Sequence, residues 1–194
     1  MPNPERVKKI KKVAVQRQQG VVILEDITDP HNAAAVLRSC EAFGIQRVCF
    51  VFDREKRFNP RKIGKAVSAS ANKWLDFEIY ASAEECFKKL KRQGYEIFAT
   101  VLDEQARSIF ESRLTWPKTA LVFGNEHRGL SPEAVGLADF RVYVPMQGFV
   151  QSLNLSVTAA VCLYEMRRQR QAAKTKCALG AKERRALISK WKKL

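Results

Sequence analysis

Three segments set amides, hydroxyls and single charges among small and apolar residues. In DPHNAAAVLRSCEAFG, Asp29 to Gly44, Asn32 lies in the opening turn of an expected helix and Arg38 interrupts its small, apolar run. In LVFGNEHRGLS, Leu121 to Ser131, an apolar strand leads into Gly124, Asn125 and Glu126, with Gly129 three residues on. In VPMQGFVQSLNLSVTAAVCLYE, Val144 to Glu165, the polar residues Gln151, Ser152, Asn154 and Ser156 surround Leu153 and Leu155. The chain has two histidines, His31 and His127, and neither sits in metal-ligand spacing, so a His-rich metal site is not indicated. Such a set suits positioning and electrostatic stabilisation. Taken singly, each residue also has an ordinary role. Asn32 can satisfy a free N–H at the helix start, Arg38 can be a solvated helical cation, the GNEHRG turn can be a plain loop, and Ser152 or Asn154 can cap a helix.

The elements that must hold these segments alternate. Strands are expected at Val21 to Glu25, Val48 to Phe52, Leu75 to Tyr80, Glu96 to Thr100, Ala120 to Phe123 and Phe140 to Val144, with helices between them. Asp29-Pro30, the capping box at Ser82 to Glu85, and Ser131-Pro132-Glu133 mark three helix starts. Ala33, Val36, Leu37, Cys40 and Phe43 share one helix face. The pattern is that of an α/β domain with a mostly parallel sheet flanked by helices, which places ligands beyond the carboxyl ends of its strands. The nine glycines, Gly64 among them, are too dispersed for a GxGxxG or P-loop cradle. A cofactor without phosphates fits better, and S-adenosylmethionine is one.

Charge divides the chain further. Residues 1–19 carry +5 and residues 166–194 carry +10, which accounts for the whole net charge of +15 and leaves residues 20–165 with 18 basic and 18 acidic side chains. A polyanion is the simplest partner for two basic ends. Val7, Ile10 and Val13 at one end, and Leu187, Ile188, Trp191 and Leu194 at the other, have helical spacing, so docked basic helices are expected rather than loose tails. The expected organisation is therefore a basic N-terminal helix at 1–19, a catalytic domain at 20–165 and a basic helical extension at 166–194. Five scattered cysteines, four in apolar stretches, indicate neither a zinc nor a disulfide framework. No apolar run approaches membrane-spanning length and the first twenty residues do not read as a signal peptide, so a cytoplasmic protein is expected.

In order and spacing the three segments resemble the three motifs of the SPOUT superfamily, specifically its SpoU or TrmH-type RNA ribose 2'-O-methyltransferases. The likeness spans about Val21 to Glu165. It is nearest to members that methylate guanosine 18 in the tRNA D-loop, through DPHN, FATVLDEQA around Thr100, MQGFVQSLNLSV and a basic C-terminal helix ending near a Trp. The resemblance implies a deep C-terminal trefoil knot, S-adenosylmethionine held between three loops, an obligate homodimer and a tRNA substrate. Carried over by position, it implies site roles for Asn32, Arg38, Glu126, Ser152 and Asn154. Cofactor-loop roles fall to Thr100, Gly124, Asn125, Gly129, Val144, Met146 and Leu153. Many relatives have Gly two residues after the first-motif Asn, where this chain has Ala34.

The family view makes Arg38 the group that activates the ribose hydroxyl. A guanidinium stays protonated, so Arg38 is expected to orient that hydroxyl and stabilise alkoxide charge, with phosphate or water taking the proton. Two other readings remain at this level. The same chemistry could act on the tRNA wobble nucleotide or on 23S rRNA, or the chain could be a noncatalytic RNA-binding module.

Overall fold

In the computed structural model, which describes residues 3–63 and 70–194, seven strands form one sheet. They are β1 Gln18–Glu25, β2 Ile45–Val51, β3 Asp76–Tyr80, β4 Glu96–Thr100, β5 Arg107–Ser108, β6 Thr119–Phe123 and β7 Phe140–Tyr143. Their order is β3-β2-β1-β6-β4-β7-β5, and every pairing is parallel. The helices are α1 Pro4–Val15, α2 Pro30–Ala42, α3 Ala83–Arg92, α4 Pro132–Leu137, α5 Leu155–Ala172 and α6 Ala181–Trp191. Gly64 lies outside the described residues.

Side-chain alternation makes the two faces. Val22 and Leu24 of β1, Val48 and Phe50 of β2, and Leu121 and Phe123 of β6 pack with α2 and α5, whereas Val21, Ile23, Cys49, Val51, Ala120 and Val122 pack with α3 and α4. Because both faces are covered, the central strands β1, β2 and β6 carry continuous apolar runs. Cys40, Cys49, Cys86 and Cys162 are buried among them as small hydrophobes. At β1 the order reverses: β2 and β3 lie to one side, β6 and β4 to the other. The carboxyl ends of β1, β6 and β4 therefore flank the crevice where such sheets bind ligands.

The expected helix starts form. Asp29 Oδ1 accepts from His31 N at 2.8 Å, Ser131 Oγ from Ala134 N at 3.0 Å, and Asn154 Oδ1 from Ser156 N at 2.8 Å. At α3, Ser82 Oγ accepts from Glu85 N, but the Glu85 carboxylate returns to Ala81 N, one residue ahead of the expected capping box. Helices do not fill every gap. Residues 101–118 turn through an Asx bond from Gln105 N to Asp103 and contribute only the short edge strand β5. This segment is held from behind by buried Arg170, which donates to the carbonyls of Leu114, Trp116 and Pro117 as well as to Gln19 O and Gln18 Oε1. The described part of the β2–β3 connection likewise has only one 3-10 turn, at Ala71–Lys73.

Both terminal helices dock. Ile10 and Ala14 of α1 bury against Leu187 and Trp191 of α6, with Val13, Trp74 and Ile188 around them. Trp191 Nε1 donates to Trp74 O at 3.1 Å. Arg17, 1% exposed, lies over the Trp191 ring and donates to Glu41 O and the Glu41 carboxylate at the end of α2. Helix α5 runs without a break from the third motif into the basic extension.

Candidate functional site

At the carboxyl end of the sheet, a cleft of about 740 Å³ opens between the loops that follow β4, β6 and β7. Thr100, Gly124, Asn125, Glu126, Gly129, Val144, Met146, Ser152, Leu153 and Asn154 line it, together with Asn32 from α2. All the candidate residues except Arg38 are therefore brought together. Two other clefts of comparable size open at the amino-terminal edge and contain none of the three motif loops.

The three segments meet through hydrogen bonds. The Glu126 carboxylate accepts from Thr28 N at 3.1 Å, Asp29 N at 3.3 Å and Asn32 Nδ2 at 3.0 Å. It thus occupies the start of α2, where free N–H groups favour an anion. Asn32 Oδ1 in turn accepts from Asn154 Nδ2 at 3.1 Å. Asn154 Oδ1 caps α5 and also accepts from Ser156 Oγ. Capping and site membership are consequently the same fact for Asn154, and Asn32 is a link between motifs rather than a cap.

Asn125 organises the second loop. Its Nδ2 donates to Asp26 O and Thr28 Oγ1, and its Oδ1 accepts from His127 N and Arg128 N. Reciprocal main-chain bonds between Asn125 and Gly129 close the turn, and Gly129 has φ +69°. Gly124 is required by close approach, since a Cβ there would lie 2.3 Å from Gly129 C and 2.4 Å from both Gly129 O and Leu130 N. The Thr100 hydroxyl is committed to Val122 O at 2.7 Å, so it braces β4 against β6.

Arg38 stands apart. It is exposed on α2, is not part of the cleft wall, and makes no ion pair among the described residues. Ala34, by contrast, is fully buried in the core, so its departure from glycine is a matter of packing and not of the cleft. Ser152 is exposed on the cleft wall.

Sequence reasoning missed the support beneath the second loop. The buried Glu25 carboxylate accepts from Ser131 N at 2.8 Å and Ser131 Oγ at 2.7 Å, tying β1 to α4. Burial pushes this carboxyl upward, partly opposed by the two bonds from Ser131. Asp26 follows it at φ +51°, a backbone state rare outside glycine, and its carboxylate accepts from Asp53, Arg54 and Glu55 N. An acidic pair directly after the apolar run VVIL was the available signal.

Parallel order and a cleft built on the loops at the carboxyl ends of β4, β6 and β7 define an α/β domain with a ligand-sized site. The chain belongs to the SpoU rRNA Methylase family, which it matches over residues 19–164. A tRNA (guanosine(18)-2'-O)-methyltransferase of Thermus thermophilus is 40% identical over 172 residues, covering 87% of this chain and 84% of the relative. The crystal structure of the Aquifex aeolicus TrmH/SpoU tRNA modifying enzyme superposes with a TM-score of 0.87 at 31% identity, covering 97% of this chain and 95% of that one. The SpoU methyltransferase AviRb of Streptomyces viridochromogenes, solved in complex with the cofactor AdoMet, gives 0.70 at 26% identity over 83% of this chain and 64% of its own.

Proposed function

We propose that this protein transfers a methyl group from S-adenosylmethionine to the ribose 2'-hydroxyl of guanosine 18 in tRNA. The observation that carries the reading is the hydrogen-bonded line Glu126–Asn32–Asn154, which joins all three motif loops on one wall of a single cleft. Its residues fit the cofactor. Phe123, Leu130, Val144, Met146 and Leu153 offer apolar surface, loop main chain offers donors and acceptors, and Gly124 keeps the second loop packed too closely for any side chain. The bound cofactor supplies an electrophilic methyl group. The chain holds the cofactor loops together through Glu126 and Asn125 and presents Ser152 and Asn154 to the ribose.

Arg38 is the group assigned to the ribose hydroxyl, which it orients while stabilising charge on its oxygen. Its position outside its own cleft accords with a homodimer in which two chains complete each site. Exposed apolar residues on α5, Val157 and Tyr164, with Phe149, Val150 and Leu153 just before it, provide a surface for that association. A trefoil knot belongs to the same reading. Strand β7 lies beyond β4, yet α5 packs on α2 and against β6, so residues 144–154 run back past the end of β4. The basic helices α1 and α6, which pack on each other, serve as tRNA contacts in a chain organised as 1–19, 20–165 and 166–194. No helix among the described residues is long and apolar enough to cross a membrane, and the cytoplasm is the proposed compartment.

Methyl transfer to undermethylated tRNA, followed by nuclease mapping of the product, tests the reaction and its address. Arg38→Ala abolishes turnover while cofactor affinity stays within a few-fold; an active variant overturns the role given to Arg38.

A further inference from the structure

We propose that residues 53–62, the loop following β2, form a preorganised basic rim beside the cleft that contacts the phosphate backbone of the tRNA substrate. The inference rests on the reading of the protein as a tRNA methyltransferase. It adds a contact surface within residues 20–165 to the basic helices α1 and α6.

The neutrality of residues 20–165 is an average. The segment DREKRFNPRK carries Arg54, Lys56, Arg57, Arg61 and Lys62 against Asp53 and Glu55, a net +3, so the rest of that domain is −3. The two acids are occupied. Glu55 accepts from Arg128 at 2.7 Å, and Asp53 pairs with neighbouring Arg54. Lys56, Arg57 and Lys62 are exposed and have no ion-pair partner among the described residues.

The loop is held firmly. Its first three N–H groups point into the Asp26 carboxylate at 2.9 to 3.2 Å. Phe58 packs edge-on against Phe52 at 4.9 Å and Phe50 at 5.7 Å, Pro60 is buried, and Asn59 Oδ1 accepts from Arg61 N to make a tight turn. Four anchors along ten residues leave little entropy to lose when the outward cations meet an anion.

Position gives the rim its role. Arg128, the partner of Glu55, also lines the cofactor cleft, and the carbonyl of the same Asp26 receives Asn125 of the second motif. A polyanion lying across the rim thus passes the cleft mouth. A strand presenting one phosphate per nucleotide to a row of cations beside its target ribose fits this arrangement.

The test is the triple variant Lys56→Gln, Arg57→Gln, Lys62→Gln in the full chain, with tRNA affinity measured across salt concentrations and cofactor affinity measured in parallel. Each phosphate that is no longer neutralised lowers the slope of log affinity against log salt by about 0.9 on duplex or about 0.7 on single strand. Two such phosphates lower the slope by about 1.5 and weaken tRNA binding by about twentyfold at physiological salt. Cofactor affinity is expected to be unchanged. The charge-preserving triple Lys56→Arg, Arg57→Lys, Lys62→Arg keeps the wild-type slope. A Gln triple with wild-type slope and affinity overturns the rim while leaving the methyltransferase reading intact. Wild-type protein that neither binds nor methylates tRNA overturns both.

Discussion

Replacing Glu126 by Gln tests whether the site is held together by a charge or only by shape. In the structure Oε1 accepts from Asp29 N and Asn32 Nδ2, and Oε2 accepts from Thr28 N. A glutamine in the same place keeps the first oxygen but turns its NH2 toward the Thr28 N–H, so donor meets donor. One bond is lost and the other two become neutral. Bonds to charged groups contribute about 1.5–3 kcal/mol and neutral ones about 0.5–1.5 kcal/mol. Thr28 and Asp29 are exposed, and water can take up part of the loss, which puts the expected cost near the low end, about 2 kcal/mol. That corresponds to about a thirtyfold change in an equilibrium constant. To the extent that this loss disorders the loops that binding requires, calorimetric titration with S-adenosylmethionine should show affinity falling by up to that factor, with methyl transfer falling at least as far. Asn32→Ala, which removes the link to both Glu126 and Asn154, should be non-additive with Asn154→Ala in a double-mutant cycle. A Glu126→Gln protein that binds the cofactor within twofold of wild type would refute the argument.

Gly124→Ala forces a Cβ into the main chain of Gly129 and Leu130, so cofactor binding should be lost and the melting temperature lowered, as calorimetry would register. At the C-terminus, Trp191→Ala should destabilise the fold by about 3 kcal/mol or more in denaturant titrations, because Trp191 seals Ile10, Ala14 and Arg17. Removing residues 172–194 would therefore disturb packing as well as charge, and Lys182, Arg185, Lys192 and Lys193 to Gln is the cleaner variant, expected to keep stability while flattening the salt dependence of tRNA binding. For Glu78, burial alone would raise the carboxyl, but bonds from Lys89, Tyr80 and Arg47 outweigh it and bring it down to about 2. Its stabilising contribution is present above the unfolded carboxyl range near 4 and lost as pH falls from there toward 2. Glu78→Gln should accordingly lose less stability than wild type over that acid window in pH-dependent unfolding.

How far the sequence could be read depended on whether a feature was local. Asp29-Pro30, Ser131-Pro132 and Asn154 all cap the helices they precede, because a cap needs only its own next few residues. The apolar runs gave six strands with small shifts of boundary, and β4 fell at Glu96–Thr100 as expected. β5 was invisible: two residues, Arg107 and Ser108, carry no periodicity and form a strand only because β7 offers an edge. The irregular course of 101–118 was equally illegible, since the carbonyls at its end are taken up by Arg170, more than fifty residues away. In the site, residue types and order pointed to the three segments, but not to the contacts among them. That Glu126 reaches Asn32, and Asn32 reaches Asn154, is a fact of tertiary approach across 94 and 122 positions. Arg38 marks the other limit, because its spacing said nothing about which way its turn of α2 would face.

Asp26 serves two masters at the end of β1. Its carboxylate fastens the loop after β2, and its carbonyl fastens Asn125 of the cofactor loop. Neither loop can shift far without dragging on the other through a residue already in an uncommon backbone state. If RNA on the rim steadies Asp26, it steadies the cofactor loop too, and thermodynamic reciprocity then fixes the converse: whatever factor RNA adds to cofactor affinity, cofactor must add to RNA affinity. A spent cofactor that fits the loop less well would loosen the grip on the finished tRNA, so turnover and product release would be governed from one strand end.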